Sequence, residues 1–395
     1  MLSRIGVGVV SLFVLAHGLG ASDYGFVATV VATSTIGALL TDFGFSTQAM
    51  RDIAEAPDRA GQIMTDCLRI KGVLTVAATL ICLVMLLTMR LSPALFWSSI
   101  MLFASVMVLS FGDLAVVSLR GIGRYEEEAI AVLAGAVLFA VVVATTALLA
   151  PGLWQLSLAL LVSRLGQTCI AFLAVARKAP LGRGSHASLS EAWRFVRSSS
   201  PLALDTILTV LAQQVDVIFV SAILGLTASA AYQVASRLAM YFLLPAQVLA
   251  GSYIPRLAAE RASGGADRLE RRMQREFGFV GVALGAAFLL APLIAGRLLP
   301  KGFEIPLSFS IALSAFIALR YMAAAFGVVL MVRRRTDQRL IGQAVGFVAM
   351  LITMPIGLKT IGVEAAPWSI AFASACAMAM YLFYWAKINR SAGQA

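Results

Sequence analysis

Arginine side chains occur inside otherwise apolar segments of this chain, at Arg164, Arg237 and Arg320. A guanidinium at the centre of a bilayer costs roughly 2.5–3.5 kcal/mol, so such residues tend to face a bundle interior or a wet cavity. Its planar donors suit bidentate, charge-assisted hydrogen bonds to a phosphate group. The three arginines therefore predict a cavity that binds an anion. The alternative is structural, with Arg237 pairing with Asp205 or Asp216 to join adjacent helices.

Polar side chains accompany these arginines at the spacing of helical turns, which places them on shared helix faces. Such faces line cavities or connect neighbouring helices within a membrane. The residues that we assign to the predicted cavity are Gln167 and Thr168 beside Arg164, Gln213 on a neighbouring segment, and Gln233 and Tyr241 beside Arg237.

Four aspartates in the same segments are candidates for binding a coupling proton or sodium ion: Asp42, Asp113, Asp205 and Asp216. For this group the structural interpretation is preferred, because Asp42 and Asp216 can neutralise neighbouring cations. His17 is likewise interpreted as a satisfied bundle residue. Arg120, at the end of a segment, is interpreted as an ordinary anchor at the inner membrane face.

Motifs typical of enzymes are missing from the sequence. It contains no GxxxxGK[ST] phosphate loop, no GxSxG and no HExxH. The four cysteines form no CxxC pair and are interpreted as small core residues, without disulfides or a metal. We therefore expect a protein that is not an enzyme and that uses no cofactor.

The elements that position these residues must be membrane-spanning helices. The 395 residues are 60% hydrophobic and only 13% charged, with a mean hydropathy of +0.89, which excludes a soluble domain. About 20 apolar residues cross a bilayer as a helix, and a helix satisfies its own backbone. The sequence predicts an all-α polytopic protein with about 12 spans, near 3–20, 24–48, 70–89, 93–119, 128–150, 153–176, 199–223, 229–252, 277–297, 305–331, 340–358 and 364–386.

The net charge of +11 is explained by membrane topology rather than by nucleic acid. With this span assignment, 23 of the 31 Lys and Arg residues fall in cytoplasmic loops and the tail, and 4 fall in outer loops. Positive residues accumulate on the cytoplasmic side. Both termini are therefore predicted to be cytoplasmic. Residues 52–71 and 256–276 are predicted to form amphipathic helices on the membrane surface.

An internal repeat divides the chain in two. Residues 19–55 recur 205 positions later, where Arg51 aligns with Arg256 and Glu55 with Glu260. A second match, at an offset of 211, joins 119–125 to 330–336. A repeat of this kind predicts two copies of one unit. We place the first bundle at 1–176, a cytoplasmic linker rich in Gly, Pro and Ser at 177–198, and the second bundle at 199–395.

Several of these stretches resemble the polysaccharide-export, or oligosaccharide flippase (Wzx-type), family of the multidrug/oligosaccharidyl-lipid/polysaccharide (MOP) exporter superfamily. They are LGASDYGFVATV at 19–30, DFGFSTQAMRDIA at 42–54, LRGIGRYEEEA at 119–129, PLALDTILTVLAQQVDVIFVSAILG at 201–225 and YQVASRLAMYFLLPAQ at 232–247. The resemblance implies two six-helix bundles around a central cavity, in the bacterial cytoplasmic (inner) membrane.

The resemblance also implies an activity. A flippase of this family moves an undecaprenyl-pyrophosphate-linked sugar unit from the inner to the outer leaflet for surface polysaccharide synthesis. Its cationic cavity would map onto Arg164, Arg237 and Arg320. The first span is short, and if the chain starts upstream of Met1, Arg4 would also belong to the cavity. The implied partners are the lipid-linked oligosaccharide, membrane lipid and other membrane proteins of polysaccharide assembly, without nucleic acid.

Two other functions stay open. A cation-coupled multidrug exporter of the same superfamily would use an acidic, aromatic cavity, and Asp113, Asp205 and Asp216 are compatible with one. A membrane polysaccharide polymerase or acyltransferase would need a large catalytic loop. The longest predicted outer loop, near 298–304, is too short for that role.

Overall fold

The computed structural model describes residues 12–42, 44–88, 91–177, 189–262 and 266–392, which are helical throughout apart from short connections and contain no strand. Residues 12–18 are helical and precede the helices that we number from α1. The helices are α1 (Ala21–Asp42), α2 (Phe45–Glu55), α3 (Ala60–Thr88), α4 (Pro93–Gly121), α5 (Tyr125–Leu149), α6 (Leu153–Ala176), α7 (Leu189–Leu224), α8 (Leu226–Phe242), α9 (Leu244–Ala262), α10 (Ala266–Phe288), α11 (Ala291–Leu298), α12 (Leu307–Val332), α13 (Thr336–Ile361) and α14 (Ala365–Ala392).

Ten helical segments of the described chain are long and apolar enough to cross a membrane, and an eleventh is added if α10 and α11, bent by 42°, form one span. Each predicted span from 24–48 onward coincides with one of these segments. The first predicted span, 3–20, lies mostly outside the described residues. The prediction of an all-α polytopic membrane protein is therefore confirmed.

Local chemistry explains how these helices form in an apolar setting. Pro93 occupies the first turn of α4 after Ser92, whose hydroxyl accepts from the amide of Leu95 at 3.5 Å. Within the spans, hydroxyls donate to carbonyls one turn earlier, as Thr29 does to Gly25 at 2.8 Å. These bonds satisfy polar groups where water is scarce.

The internal repeat is visible in the backbone. At the end of α4 the chain turns through Gly123, which has a φ of +76°. At the end of α12 it turns through Arg334, with a φ of +55°. Both turns have the paired hydrogen bonds of a Schellman motif. In the first turn, the backbone amides of Ile122, Gly123 and Arg124 donate to the carbonyls of Ser118, Arg120 and Leu119, respectively. The same bonds recur 211 positions later, where the amides of Arg333, Arg334 and Arg335 donate to the carbonyls of Val329, Met331 and Leu330.

The chain divides into two compact units, Met1–Val215 and Asp216–Ala395. In the first unit α4 packs against α1, α2 and α6. In the second unit α12 packs against α10 and α14, and α13 packs against α14. The predicted linker lies partly outside the described residues, and α7 begins before the predicted start of the second bundle. The predicted domain bounds stay predictions.

Small residues permit the close helix packing of the second unit. A Cβ atom added at Gly285 of α10 would lie 2.8 Å from the carbonyl oxygen of Ser314 on α12. One added at Gly281 would lie 2.6 Å from the Cβ of Tyr321. The Tyr321 hydroxyl donates at 2.9 Å to the carbonyl of Phe242, at the break between α8 and α9. Glycine thus brings α10 and α12 together, as is common in membrane helix pairs.

The predicted amphipathic segments need correction. Residues from Ala60 onward belong to α3, the same helix that forms the span, because Met64, Cys67 and Lys71 are buried against neighbouring helices. Only a short 3₁₀ turn, Pro57–Arg59, separates α3 from α2. Residues 256–262 likewise continue α9. Lys71, counted above with the loop cations, is therefore a buried residue of a membrane helix.

Candidate functional site

Arg164 lies on α6 among neutral partners. Its guanidinium stacks on the Phe139 ring of α5, 4.1 Å from the centroid, and its Nη1 donates to Gln167 Oε1 at 2.8 Å. Gly135 leaves room for Gln167, since an added Cβ would lie 2.6 Å from its Cγ. Exposed Asp113 is near enough to act electrostatically on Arg164. A half-buried guanidinium with one amide partner keeps donors available to an anion.

Thr168, next to Gln167, faces another helix. Its hydroxyl donates to the carbonyl of Val108 on α4 at 3.0 Å. Gly112 makes this contact possible, because a Cβ there would lie 2.7 Å from the Thr168 Oγ1. Thr168 therefore connects α6 to α4, while Gln167 accompanies Arg164. The assignment of Thr168 to a cavity stays a prediction.

Asp42 is paired with a residue that the sequence reasoning missed. The Nζ of Lys71 lies 2.5 Å from Asp42 Oδ1 and donates at 2.7 Å to the carbonyl of Ser110. The Lys71 side chain is fully buried, and its charge also lies 5.6 Å from the Phe111 ring centroid. Asp42 accepts a further bond from Ser46 at 2.7 Å. The contacts support a structural role for Asp42, and its assignment to ion coupling stays a prediction.

Asp216 is buried in the second unit and well supplied with donors. It accepts from the Tyr232 hydroxyl at 2.7 Å and from the Val217 amide at 2.7 Å. Arg237 is near enough to act electrostatically on both Asp216 and Tyr241. Both carboxylate oxygens of Asp216 therefore have donors, and its assignments to ion coupling or to pairing with Arg237 stay predictions.

Gln233, another predicted cavity residue, has an unpaired amide oxygen in the described part of the chain. Its side chain is on α8, one turn before Arg237, and is only 5% exposed. Among the described residues, its Oε1 has no hydrogen-bond partner. Leaving a buried amide oxygen unpaired costs about 1–3 kcal/mol, so this atom is a natural contact for a ligand or water. Gln213, on α7, is half-buried.

Arg320 is half-buried near the middle of α12 and makes no hydrogen bond or ion pair with any described residue. Arg333, directly after the last residue of the same helix, is different. It donates at 2.7 Å to Glu270 and at 2.7 Å to Asn389. Within the described residues of the second unit, Arg333 is therefore paired with Glu270, whereas Arg320 has no carboxylate partner.

The remaining predicted residues have peripheral or undescribed positions. Arg120 pairs with Glu128, its Nε lying 3.1 Å from Oε2, as suits an anchor outside the apolar core. His17 bonds through Nδ1 to the carbonyl of Phe13 at 2.8 Å. Arg4 and the side chain of Asp205 lie outside the described residues. In the described part, no group of three His, Cys, Asp or Glu residues could hold a metal ion.

Several solved structures have a fold similar to that of this chain. The chain is similar to a multidrug resistance MATE family transporter of the MOP superfamily, in an inward-facing conformation, with a TM-score of 0.80 and 17% identity over 98% of this chain and 95% of that one. A Vibrio cholerae MATE transporter, VcmN, gives a TM-score of 0.64 and 14% identity over 99% and 94%.

A third similar structure is a MOP superfamily transporter from Pyrococcus furiosus, described as having a binding pocket of reverse polarity that suggests a different function. It gives a TM-score of 0.67 and 16% identity over 100% of this chain and 94% of that one. No curated protein matches the chain. The model of a family described as "Polysaccharide biosynthesis protein" matches residues 2–260. This multi-pass membrane protein therefore belongs to the polysaccharide biosynthesis protein family and has the fold of MOP superfamily transporters.

Proposed function

We propose that the protein is a flippase for lipid-linked oligosaccharides. It moves an undecaprenyl-pyrophosphate-linked sugar unit from the inner to the outer leaflet by alternating access. The exported unit serves synthesis of O-antigen, capsule or exopolysaccharide. The family description supports a role in polysaccharide synthesis, and the fold supports transport rather than catalysis.

The observation that supports the proposal most directly is which partners the arginines within the spans have. Arg164 has an amide and an aromatic ring as partners, and Arg320 has no acceptor among the described residues. A cation inside a membrane protein is retained where a partner or a wet cavity lowers its free energy. A diphosphate cargo supplies two or more negative charges and suits the planar guanidinium.

A cation-coupled multidrug exporter is the second candidate, because similar structures include multidrug MATE transporters. That function needs available carboxylates. Asp42 and Asp216 are already engaged by Lys71 and by Tyr232, which weakens this candidate. Asp113 is exposed, so substitution of this carboxylate tests the multidrug-exporter alternative. The binding pocket of reverse polarity described for the Pyrococcus furiosus transporter is a precedent for a change of pocket charge and of function on this fold.

The test is complementation of a deletion strain with matched variants. Arg164→Lys keeps the charge but loses the planar fork, whereas Arg164→Ala loses both. We expect Arg164→Ala to leave the undecaprenyl-linked precursor on the cytoplasmic side at normal protein level, with Arg164→Lys intermediate. Arg390→Ala removes an exposed cation at the end of α14 and serves as the control. Normal polysaccharide in the deletion strain, together with new sensitivity to cationic dyes, would favour the multidrug exporter.

A further inference from the structure

The first half of α10 carries a row of arginines. Its exposed cations, which we call the arginine face, are Arg268, Arg271, Arg272 and Arg275. At 3.6 residues per turn, these four positions fall within an arc of about 100° around the helix. The opposite side is buried, with Met273 and Phe277 fully enclosed. The arginine face therefore points away from the protein core.

The same side of α10 becomes apolar where the arginines end. Phe279 is 77% exposed and Val282 is 64% exposed, and both lie within the arc of the arginine face. Because α10 and α11 together are long and apolar enough to form a bent span, exposed apolar side chains on α10 face the lipid tails. Arg275 is about 6 Å before Phe279 along the helix axis. The arginines thus lie at the depth of phospholipid headgroups.

Carboxylates of the protein leave part of this positive charge uncompensated. Glu270 is buried and is engaged by Arg333 at 2.7 Å, so it is not available to the arginine face. Glu276 accepts from Arg272 Nε at 2.8 Å. The other three arginines of the face form no ion pair with a described carboxylate. Even with exposed Asp267 counted, the face carries two more positive charges than Asp267 and Glu276 supply negative ones.

Contacts on the buried side hold the arginine face in place. Arg333, which binds Glu270, also donates to Asn389 of α14 at 2.7 Å. The hydroxyl of Tyr253 on α9 donates to Glu276. Three neighbouring elements are therefore bonded to the turns of α10 that carry the arginines. A site held on a fixed helix binds a ligand with a smaller loss of conformational freedom.

The first unit differs at the corresponding place of the repeat. Residues 51–71 contain four basic and four acidic residues, whereas residues 256–276 contain six basic and four acidic residues. In α3, the turn before exposed Val73 carries Arg69, which lies 3.9 Å from Asp66. The excess of positive charge is therefore a property of the second unit and not of the repeat itself.

We propose that the arginine face binds the headgroups of anionic phospholipids, such as phosphatidylglycerol, in the leaflet that α10 enters. The forked donors of its guanidinium groups suit phosphodiester oxygens, and Phe279 and Val282 contact the acyl chains of the same lipid. The predicted topology makes this the cytoplasmic leaflet, where anionic lipids attract clusters of basic residues. The inference concerns a second ligand and does not depend on the cargo.

Native mass spectrometry of the full-length protein in a neutral detergent counts bound lipids and gives their affinities. The probes are phosphatidylglycerol and phosphatidylcholine. Each arginine near an anionic lipid is expected to contribute about fivefold to affinity, so the variant Arg268→Gln/Arg271→Gln/Arg275→Gln should bind phosphatidylglycerol on the order of 100-fold more weakly. Its affinity for phosphatidylcholine should be unchanged. The variant keeps the pair between Arg272 and Glu276.

The matched control removes three exposed cations from other parts of the same unit. It is the variant Arg334→Gln/Arg335→Gln/Arg390→Gln. We expect this control to keep most of the wild-type affinity for phosphatidylglycerol. Wild-type affinity in the α10 variant, or an equal loss of affinity in the control, would overturn the proposal.

Melting temperature separates lipid binding from a structural role. The three substituted arginines of α10 are exposed, so the variant should melt at the wild-type temperature without added lipid. Phosphatidylglycerol should raise the melting temperature of the wild-type protein and of the control, but not that of the α10 variant. A lower melting temperature without lipid, together with an unchanged shift by phosphatidylglycerol, would make these arginines structural and overturn the proposal.

Inorganic pyrophosphate, added as a competitor, tests whether the face binds the diphosphate of the cargo instead. A lipid that also contacts Phe279 and Val282 through its acyl chains should stay bound at equimolar pyrophosphate. Displacement of phosphatidylglycerol under these conditions would reassign the face to the cargo and overturn the proposal. Normal precursor location in the deletion strain would refute the flippase and leave the lipid site standing.

Discussion

The buried pair Lys71–Asp42 gives a prediction whose size follows from its geometry. The Lys71 side chain is fully buried and the Asp42 side chain is 23% exposed, with 2.5 Å between Nζ and Oδ1. Removing one partner of a buried pair costs about 3–5 kcal/mol, because the other charge is left uncompensated. Lys71→Met leaves Asp42 without its partner, and because Asp42 is partly exposed, we expect a loss near the lower end of that range, about 3 kcal/mol. Asp42→Ala should cost more, since it strands the more deeply buried charge.

Thermal unfolding in detergent measures these effects. A loss of about 3 kcal/mol corresponds to a fall in melting temperature of about 6–12 °C in a unit of this size. The double variant Lys71→Met/Asp42→Ala should recover much of the loss, because it leaves no unpaired charge. Arg69→Met, on the same helix, is the control: Arg69 is 52% exposed and 3.9 Å from Asp66, a surface pair worth about 0–1 kcal/mol. Unchanged melting in both single variants would refute the reasoning.

Two predictions concern backbone and packing. Arg334 holds a φ of +55° at a position where the repeat has glycine, so Arg334→Gly should raise stability by about 1 kcal/mol, whereas Gly123→Ala should lower it by about 1–2 kcal/mol. Denaturant unfolding of the two variants in parallel measures whether the free energy of unfolding rises for Arg334→Gly and falls for Gly123→Ala. A stabilised Gly123→Ala variant would contradict the account. Gly285→Leu should separate α10 from α12, because even a Cβ would lie 2.8 Å from Ser314 O. Its yield and melting temperature should both fall, while Gly296→Leu, with nothing within 4 Å, serves as the control.

The membrane architecture was predictable because it depends on quantities that run along the chain. Span length and hydropathy located eleven segments, and the offset of 211 between 119–125 and 330–336 anticipated two turns with equivalent hydrogen bonds. The separate amphipathic helix predicted at 52–71 was wrong, because Met64 and Lys71 are buried and the residues from Ala60 onward belong to α3.

The partners of the charged residues were harder to predict, because they depend on tertiary contacts. Lys71 and Asp42 are 29 positions apart, and Arg333 and Glu270 are 63 apart. The only sequence signal for the first pair was the position of Lys71 directly before the uncharged run that starts at Gly72. Conversely, the sequence located Arg320 within a span but could not indicate that it has no acceptor among the described residues.

The most direct test of the flippase proposal is transport by purified protein in liposomes. A fluorescent polyprenyl-diphosphate-linked sugar is placed in one leaflet, and its arrival in the other is followed by quenching from outside. The account predicts transfer by the wild-type protein, at least tenfold slower transfer by the Arg164→Ala/Arg320→Ala variant, and wild-type rates for Arg390→Ala. Equal rates in wild-type, double-variant and protein-free liposomes would contradict the account.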